Sequence, residues 1–172
     1  MEIVTQEAKA DFDLSKLLAR LVVADVDFVI IGGIAALAHG AARLTWDVDI
    51  CYKRTMDNYE RIVAALKPIH PYLRGAPAGL PFIFDSDTLH KGLNFTLTTD
   101  EGPLDLLGEV CGGGFFEDLA PFSVEKQVCE YPVRVLGLSK LLEVKRAAGR
   151  PKDFEAIAEL ELLIKMEQDG IS

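Results

Sequence analysis

Positive charge is scarce in this sequence. Eighteen lysines and arginines stand against 27 aspartates and glutamates, a formal charge of −9. That balance argues against broad electrostatic binding to nucleic acid, and leaves open only a local basic groove. Long apolar runs are missing as well. Each is broken by charge or glycine, so no stretch is expected to span a bilayer. The start, Met1 to Glu7, has no basic segment leading into an apolar one, so no signal peptide is expected and a cytoplasmic location is. Cysteine is sparse: Cys51, Cys111 and Cys129 are odd in number and far apart, which excludes a zinc-type spacing. They read as buried small apolar side chains in a reducing compartment. G-x-G-x-x-G is absent, which excludes a Rossmann dinucleotide site, and the glycines after Cys111 are not followed by Lys-Ser/Thr, which excludes a phosphate loop. Repeats and low-complexity segments are also absent.

What remains is a chain of 172 residues with 49% hydrophobic content, enough for one domain with a real core. Helical spacing over 13–25 puts Leu14, Leu17, Leu18, Leu21 and Val22 on one stripe, with Asp13 as a cap. Thr55 opens a second helix, with Asp57 in its first turn and Tyr59, Ile62, Val63 and Leu66 facing inward. Residues 68–81 hold four prolines and two glycines and read as a loop where a substrate could approach. Gly92–Thr99 and Leu104–Leu107 read as strands around a turn at 100–102, and 111–116 as a flexible glycine loop. Two β-like runs follow within 122–136. From Gly137 the chain is helical, with a break at Gly149–Asp153, where Asp153 can cap the last helix. That helix is expected to bury some combination of Phe154, Ile157, Leu160, Leu163 and Ile164.

The chemistry concentrates in residues 28–51. Phe28–Ile31 is a continuous apolar run, typical of a strand buried on both faces. Gly32-Gly33 makes a turn into a short helix, where bare backbone can approach a phosphate near an N-terminal partial positive charge. His39 ends that helix and is read as a helix-end residue rather than a general base. Arg43 and Thr45 follow, close to the acidic strand, where phosphate contact and local orientation are alternatives to plain surface roles. Alternation then directs Trp46, Val48 and Ile50 into a core, and Asp47 and Asp49 to the other face. Two carboxylates roughly 7 Å apart repel by about 2 kcal/mol at an effective dielectric of ~20, a sign that a shared divalent cation reverses. In isolation the same pair also fits a solvated edge strand.

The run G-G-x-A-x-x-x-H-G-x-x-R-x-T-x-D-x-D resembles the nucleotidyltransferase superfamily, whose motif is a glycine turn, a short helix and Asp-x-Asp on a strand. It looks most like the AbiEii-like branch, which contains the toxins of toxin–antitoxin pairs. Lys145-Arg146-Ala147-Ala148-Gly149-Arg150-Pro151-Lys152-Asp153 resembles a K-x-x-A-G-R-x-K-D motif of that branch. The resemblance implies a third carboxylate on a later strand. Asp105, between leucines, matches it, with Asp100, Glu101 and Glu109 as competitors. It also implies that Lys145, Arg150 and Lys152 face the triphosphate; the plain alternative is cations balancing a helix dipole. One departure is Ile34, where many members place a serine beside the glycine.

The resemblance thus implies an α/β (α+β mixed) fold: a small twisted mixed sheet flanked by helices, with a helical C-terminal segment. The expected division is a core over 1–136 and a helical segment over 137–172 packed on it, one domain overall. The implied activity is Mg²⁺-dependent transfer of a nucleoside monophosphate from ATP or another NTP to an acceptor hydroxyl. Asp47, Asp49 and Asp105 would hold two Mg²⁺ ions, and Gly32, Gly33, Arg43, Thr45, Lys145, Arg150 and Lys152 would contact the nucleotide. The acceptor is open among tRNA, protein and a small molecule, and an antitoxin or second subunit is an implied partner. The alternatives are an inactive nucleotide-holding or toxin–antitoxin interaction protein, and a nuclease or phosphohydrolase using the same carboxylates.

Overall fold

The structure, a computed structural model, describes residues 12–171. The reading of the N-terminal seven residues therefore lies outside it. Asp13 caps helix α1 (Leu14–Val23) by accepting from the Lys16 amide at 3.0 Å, and Leu17, Leu18 and Leu21 are fully buried. Strand β1 (Phe28–Ile31) is buried at every position. It runs into helix α2 (Gly32–Ala38). Strand β2 (Val48–Tyr52) returns antiparallel to β1, with Ile31 opposite Asp49. Helix α3 (Met56–Leu66) is capped by Thr55 and buries Tyr59, Ile62 and Leu66.

A short strand β3 (Tyr72–Leu73) and helix α4 (Ser86–Lys91) precede β4 (Asn94–Thr98) and β5 (Leu104–Leu107). A small two-stranded ribbon, β6 (Glu109–Val110) and β7 (Gly114–Phe115), leads into helix α5 (Phe116–Leu119). The hairpin β8 (Ser123–Val128) and β9 (Tyr131–Leu136) turns on Cys129 and Glu130, both at positive φ, the geometry of a tight two-residue turn. Helices α6 (Leu138–Ala148) and α7 (Phe154–Gln168) finish the described chain.

The main sheet has seven strands in the order β3-β4-β5-β2-β1-β9-β8. It is mixed: β2 runs parallel to β5 and β1 parallel to β9, while the other neighbours are antiparallel. The fold is therefore the mixed α/β arrangement expected, with α6 and α7 packed on each other and α6 against α2. Among the described residues no helix is long and apolar enough to cross a membrane.

Several expectations need correction. Trp46 is 62% exposed, because β2 begins at Val48 and the inward alternation starts there, with Val48 and Ile50 fully buried. Asp47 accordingly stands just ahead of the strand, and Asp49 within it. The segment 68–81 is not all loop. It holds a 3₁₀ turn (Lys67–Ile69) and β3, which pairs with β4. Helix α4 had no counterpart in the sequence reading; Asp85 caps it by accepting from the Thr88 amide at 2.8 Å. The glycines at 112–114 are a packed ribbon, not a free loop: a Cβ on Gly113 would press on Leu119 and Val144. Of the cysteines only Cys51 is buried. Phe154 is exposed, and Leu160 is the buried residue of α7.

Candidate active site

Parallel pairing of β2 with β5 puts Asp49 in register with Asp105. Neighbouring strands lie about 4.8 Å apart, so two side chains on the same face at one register position meet. Asp47, the residue directly before β2, completes a group in which one carboxylate oxygen from each residue lies within 4.8 Å of the others. Among the described residues this is the one such group. The competitors are engaged elsewhere. Asp100 pairs with His70 at 2.6 Å, Glu101 takes both bonds of the Arg20 guanidinium, and Glu109 lies exposed on β6.

Gly32 has φ +66°, a conformation costly to any residue with a Cβ, and a Cβ there would collide with the Asp49 carboxylate. Gly33 is constrained by space alone, since a Cβ would stand 2.9 Å from Thr45 Cβ and Oγ1. The glycine pair thus lets the turn lie flat against both the second carboxylate and the loop before it. Thr45 in turn donates its hydroxyl to Asp47 Oδ1 at 2.9 Å and orients that carboxylate.

Opposite the carboxylates stand the cations. Asp153 is buried and binds two of them: Arg150 Nε donates to Oδ2 at 2.7 Å and Lys145 Nζ to Oδ1 at 3.4 Å. Burial pushes the Asp153 carboxyl up, but the bonds and charges of Arg150 and Lys145 outweigh it and hold the group below the usual carboxylate range. Asp153 makes no side-chain cap to α7, contrary to expectation, because its oxygens are used in this cluster. Arg43 donates to Glu155 at 2.8 Å. Lys140 and Arg146 pair with Glu143 and Glu161 and play no part in the cleft lining.

A cleft of about 650 Å³ joins these groups. Asp47, Asp49 and Asp105, Gly32 and Gly33, Arg43 and Thr45, and Lys145, Arg150 and Lys152 all line it. His39 does not; its Nε2 lies 2.9 Å from the Leu136 carbonyl, and burial lowers its pKa. The sequence reading missed Arg74, whose Nη2 donates to Asp105 Oδ1 at 2.8 Å and to the Leu97 carbonyl at 2.7 Å. Its one sequence signal is being the sole arginine of the Pro/Gly-rich segment.

The Asp49 carboxyl is pushed up to about 7, first by burial, then by the charges of Asp47 and Asp105, with Lys145 opposing. A cluster that resists holding three charges by itself, built only of hard oxygen donors, fits a small divalent cation such as Mg²⁺.

No family model and no curated protein matches this sequence. Among solved structures, the chain is similar to TM1012 of Thermotoga maritima, a candidate nucleotidyltransferase, at 16% identity over 84% of this chain and 88% of that one, with a TM-score of 0.55. At that identity the likeness is one of fold, and the architecture described above is a nucleotidyltransferase-like one.

Proposed function

We propose that this protein is a nucleotidyltransferase that moves a nucleoside monophosphate from an NTP to an acceptor hydroxyl, releasing pyrophosphate. The observation that carries this reading is the in-register pair Asp49 and Asp105, with Asp47 beside them, fitted against the Gly32-Gly33 turn in a cation-flanked cleft. The fold likeness and the sequence resemblance support it.

Asp47, Asp49 and Asp105 would hold Mg²⁺, two ions in the reading the resemblance implies, which when bound supplies Lewis-acid polarisation of the phosphate and a lowered pKa for the attacking hydroxyl. The chain's own residues do the rest. The acceptor oxygen bonds to the α-phosphorus, the bond from that phosphorus to the β-bridging oxygen breaks, and its electron pair leaves with pyrophosphate. Asp105 accepts the hydroxyl proton. Lys145, Arg150, Lys152 and Arg43 offset charge developing on the leaving group, and the Gly32-Gly33 backbone allows close approach of the phosphates. Alignment and electrostatics carry most of such a transfer.

The test is incubation of α-phosphate-labelled NTPs with lysate fractions. The wild type should place label on an acceptor and release pyrophosphate, and the Asp47→Asn/Asp49→Asn pair, still folded, should do neither. No label on any acceptor, with the NTP or the nucleic acid of the fraction hydrolysed instead, identifies a phosphohydrolase or a nuclease, and nucleotide binding with no pyrophosphate identifies a nucleotide-holding protein. The toxin role rests on the likeness of residues 31–50 and 145–153 to the AbiEii-like branch. Growth arrest on expression, relieved by the same pair of substitutions, is its test.

A further inference from the structure

We propose that Arg74 recognises the acceptor, and that the acceptor carries a phosphate close to its reacting hydroxyl. The inference rests on the nucleotidyltransferase reading and adds the class of the second substrate.

The strand order sets the geometry. Arg74 follows β3 at one edge and reaches past the Leu97 carbonyl of β4 to Asp105 on β5. Asp49 lies next on β2, then the glycine turn after β1, then α6 with Lys145, which follows β9. The cleft thus runs from one cationic flank, Arg74, across the carboxylates to another, Lys145 with Arg150 and Lys152. In a phosphoryl-type displacement the attacking and leaving oxygens stand roughly in line across the phosphorus. If pyrophosphate departs toward Lys145 and the glycine turn, the hydroxyl must enter past Asp105, on the flank that Arg74 occupies.

The guanidinium on that flank is incompletely used. Both its hydrogen bonds come from Nη2, and among the described residues the buried Nε meets no acceptor at all. Leaving a buried donor unmade costs about 1–3 kcal/mol, so the guanidinium has capacity for an acceptor beyond the two oxygens that Nη2 engages. The side chain keeps 32% exposure and lines both the main cleft and a shallower groove beside it. That groove is walled by Leu44, Trp46 and Pro103 and shares Thr45 and Asp47 with the cleft. A planar guanidinium beside an apolar wall suits a phosphate oxygen pair on a molecule with an apolar or ring-bearing body. Arg74 does this while remaining the partner that keeps Asp105 aimed at the cleft.

The shared chemistry is a phosphate mono- or diester, whether at a nucleic-acid end or on a small molecule. The probes are a dinucleoside monophosphate against its free nucleoside, and ribose 5-phosphate against ribose. Each is titrated into the wild type, Arg74→Met and Arg74→Lys with Mg²⁺ and a non-hydrolysable ATP analogue. The expected result is at least about tenfold tighter binding of one phosphorylated probe than of its unphosphorylated counterpart. That preference, taken as the ratio of the two affinities within each variant, should vanish in Arg74→Met and partly return in Arg74→Lys, with the analogue affinity and the melting temperature recorded for each variant. Which probe shows the preference names the source. Equal binding within both pairs, no binding of either phosphorylated probe, or an Arg74→Met loss falling equally on a probe and its unphosphorylated counterpart overturns the proposal. Failure of the analogue to bind the wild type overturns the nucleotidyltransferase reading instead, and the probe pairs still report the anion preference.

Discussion

A side chain at Gly32 would occupy the place of the Asp49 carboxylate. The hinge and the second carboxylate are thus one steric unit, joined across the antiparallel β1–β2 pair. Gly32→Ala should therefore damage the site twice. The left-handed backbone costs roughly 1–2 kcal/mol with a Cβ present, and Asp49 must turn away from Asp47 and Asp105. A melt should fall by a few degrees, and Mn²⁺ affinity, read by paramagnetic relaxation, should fall by about tenfold or more. Unchanged Mn²⁺ affinity in a folded variant would break the link between glycine and carboxylate.

Asp153, itself part of the cleft lining, holds Lys145 and Arg150 together. Asp153→Asn keeps the shape and removes the charge. Two cations then stand close together without their counter-ion, and each is free to leave the lining. Nucleotide affinity should drop by about tenfold, the worth of one charge-assisted contact. In a double-mutant cycle, Asp153→Asn and Arg150→Met should be strongly non-additive, since each removes the same pair. Additive losses would mean that Asp153 acts independently of Arg150.

Much of the fold could be read from periodicity because burial is one-sided and regular in those places. Leu17, Leu18 and Leu21 face the core at helical spacing, and Phe28–Ile31 is buried without interruption. Alternation failed where strands do not extend to their apparent ends. At Trp46 the apolar pattern continues but the pairing does not, and the ring is exposed beside Phe12, at 6.4 Å between centroids. Helix α4 was invisible because six residues with one buried side chain, Leu89, give no stripe.

Asp47 and Asp49 were legible locally, being two residues apart, whereas Asp105, between leucines, stood out from Asp100, Glu101 and Glu109 only through the third strand carboxylate that the resemblance implies. Arg74 was not legible. Its partner is 31 residues away, and the contact exists only because β3 pairs with β4 and β4 with β5. No local pattern encodes a relation that two strand registers create.

Away from the cleft, Arg20 grips Glu101 through two bonds of 2.7 Å, tying α1 to the turn between β4 and β5. Glu101 is nearly buried, so Arg20→Met leaves a carboxylate without its partner. Because Arg20 itself is a third exposed, the expected loss is about 2–3 kcal/mol rather than the full value for a buried pair. That corresponds to a drop of roughly 5–10 °C in melting temperature. Arg20→Met with Glu101→Gln should recover part of it, and no recovery would place the loss in helix packing instead.

The Asp49 carboxyl titrates near 7 in the folded chain and near 3.8 when unfolded, chiefly through burial and then through Asp47 and Asp105. The folded state therefore holds this proton more tightly, and stability falls as pH rises between about 4 and 7. His39 slopes the other way: its lowered pKa favours the neutral folded ring, so its contribution is lost as pH drops below 6.5. Melts of the wild type alone would mix the two. The difference between Asp49→Asn and wild type, measured in chelator at pH 5, 6, 7 and 8, isolates the carboxyl. The variant should gain on the wild type steadily up to pH 7 and level off above it. Adding Mg²⁺ at pH 8 should then stabilise the wild type more than the variant, since ligand bound to the folded state raises stability by mass action. A difference that stays flat with pH would mean that Asp49 is ionised throughout, its charge met by Lys145 without a metal.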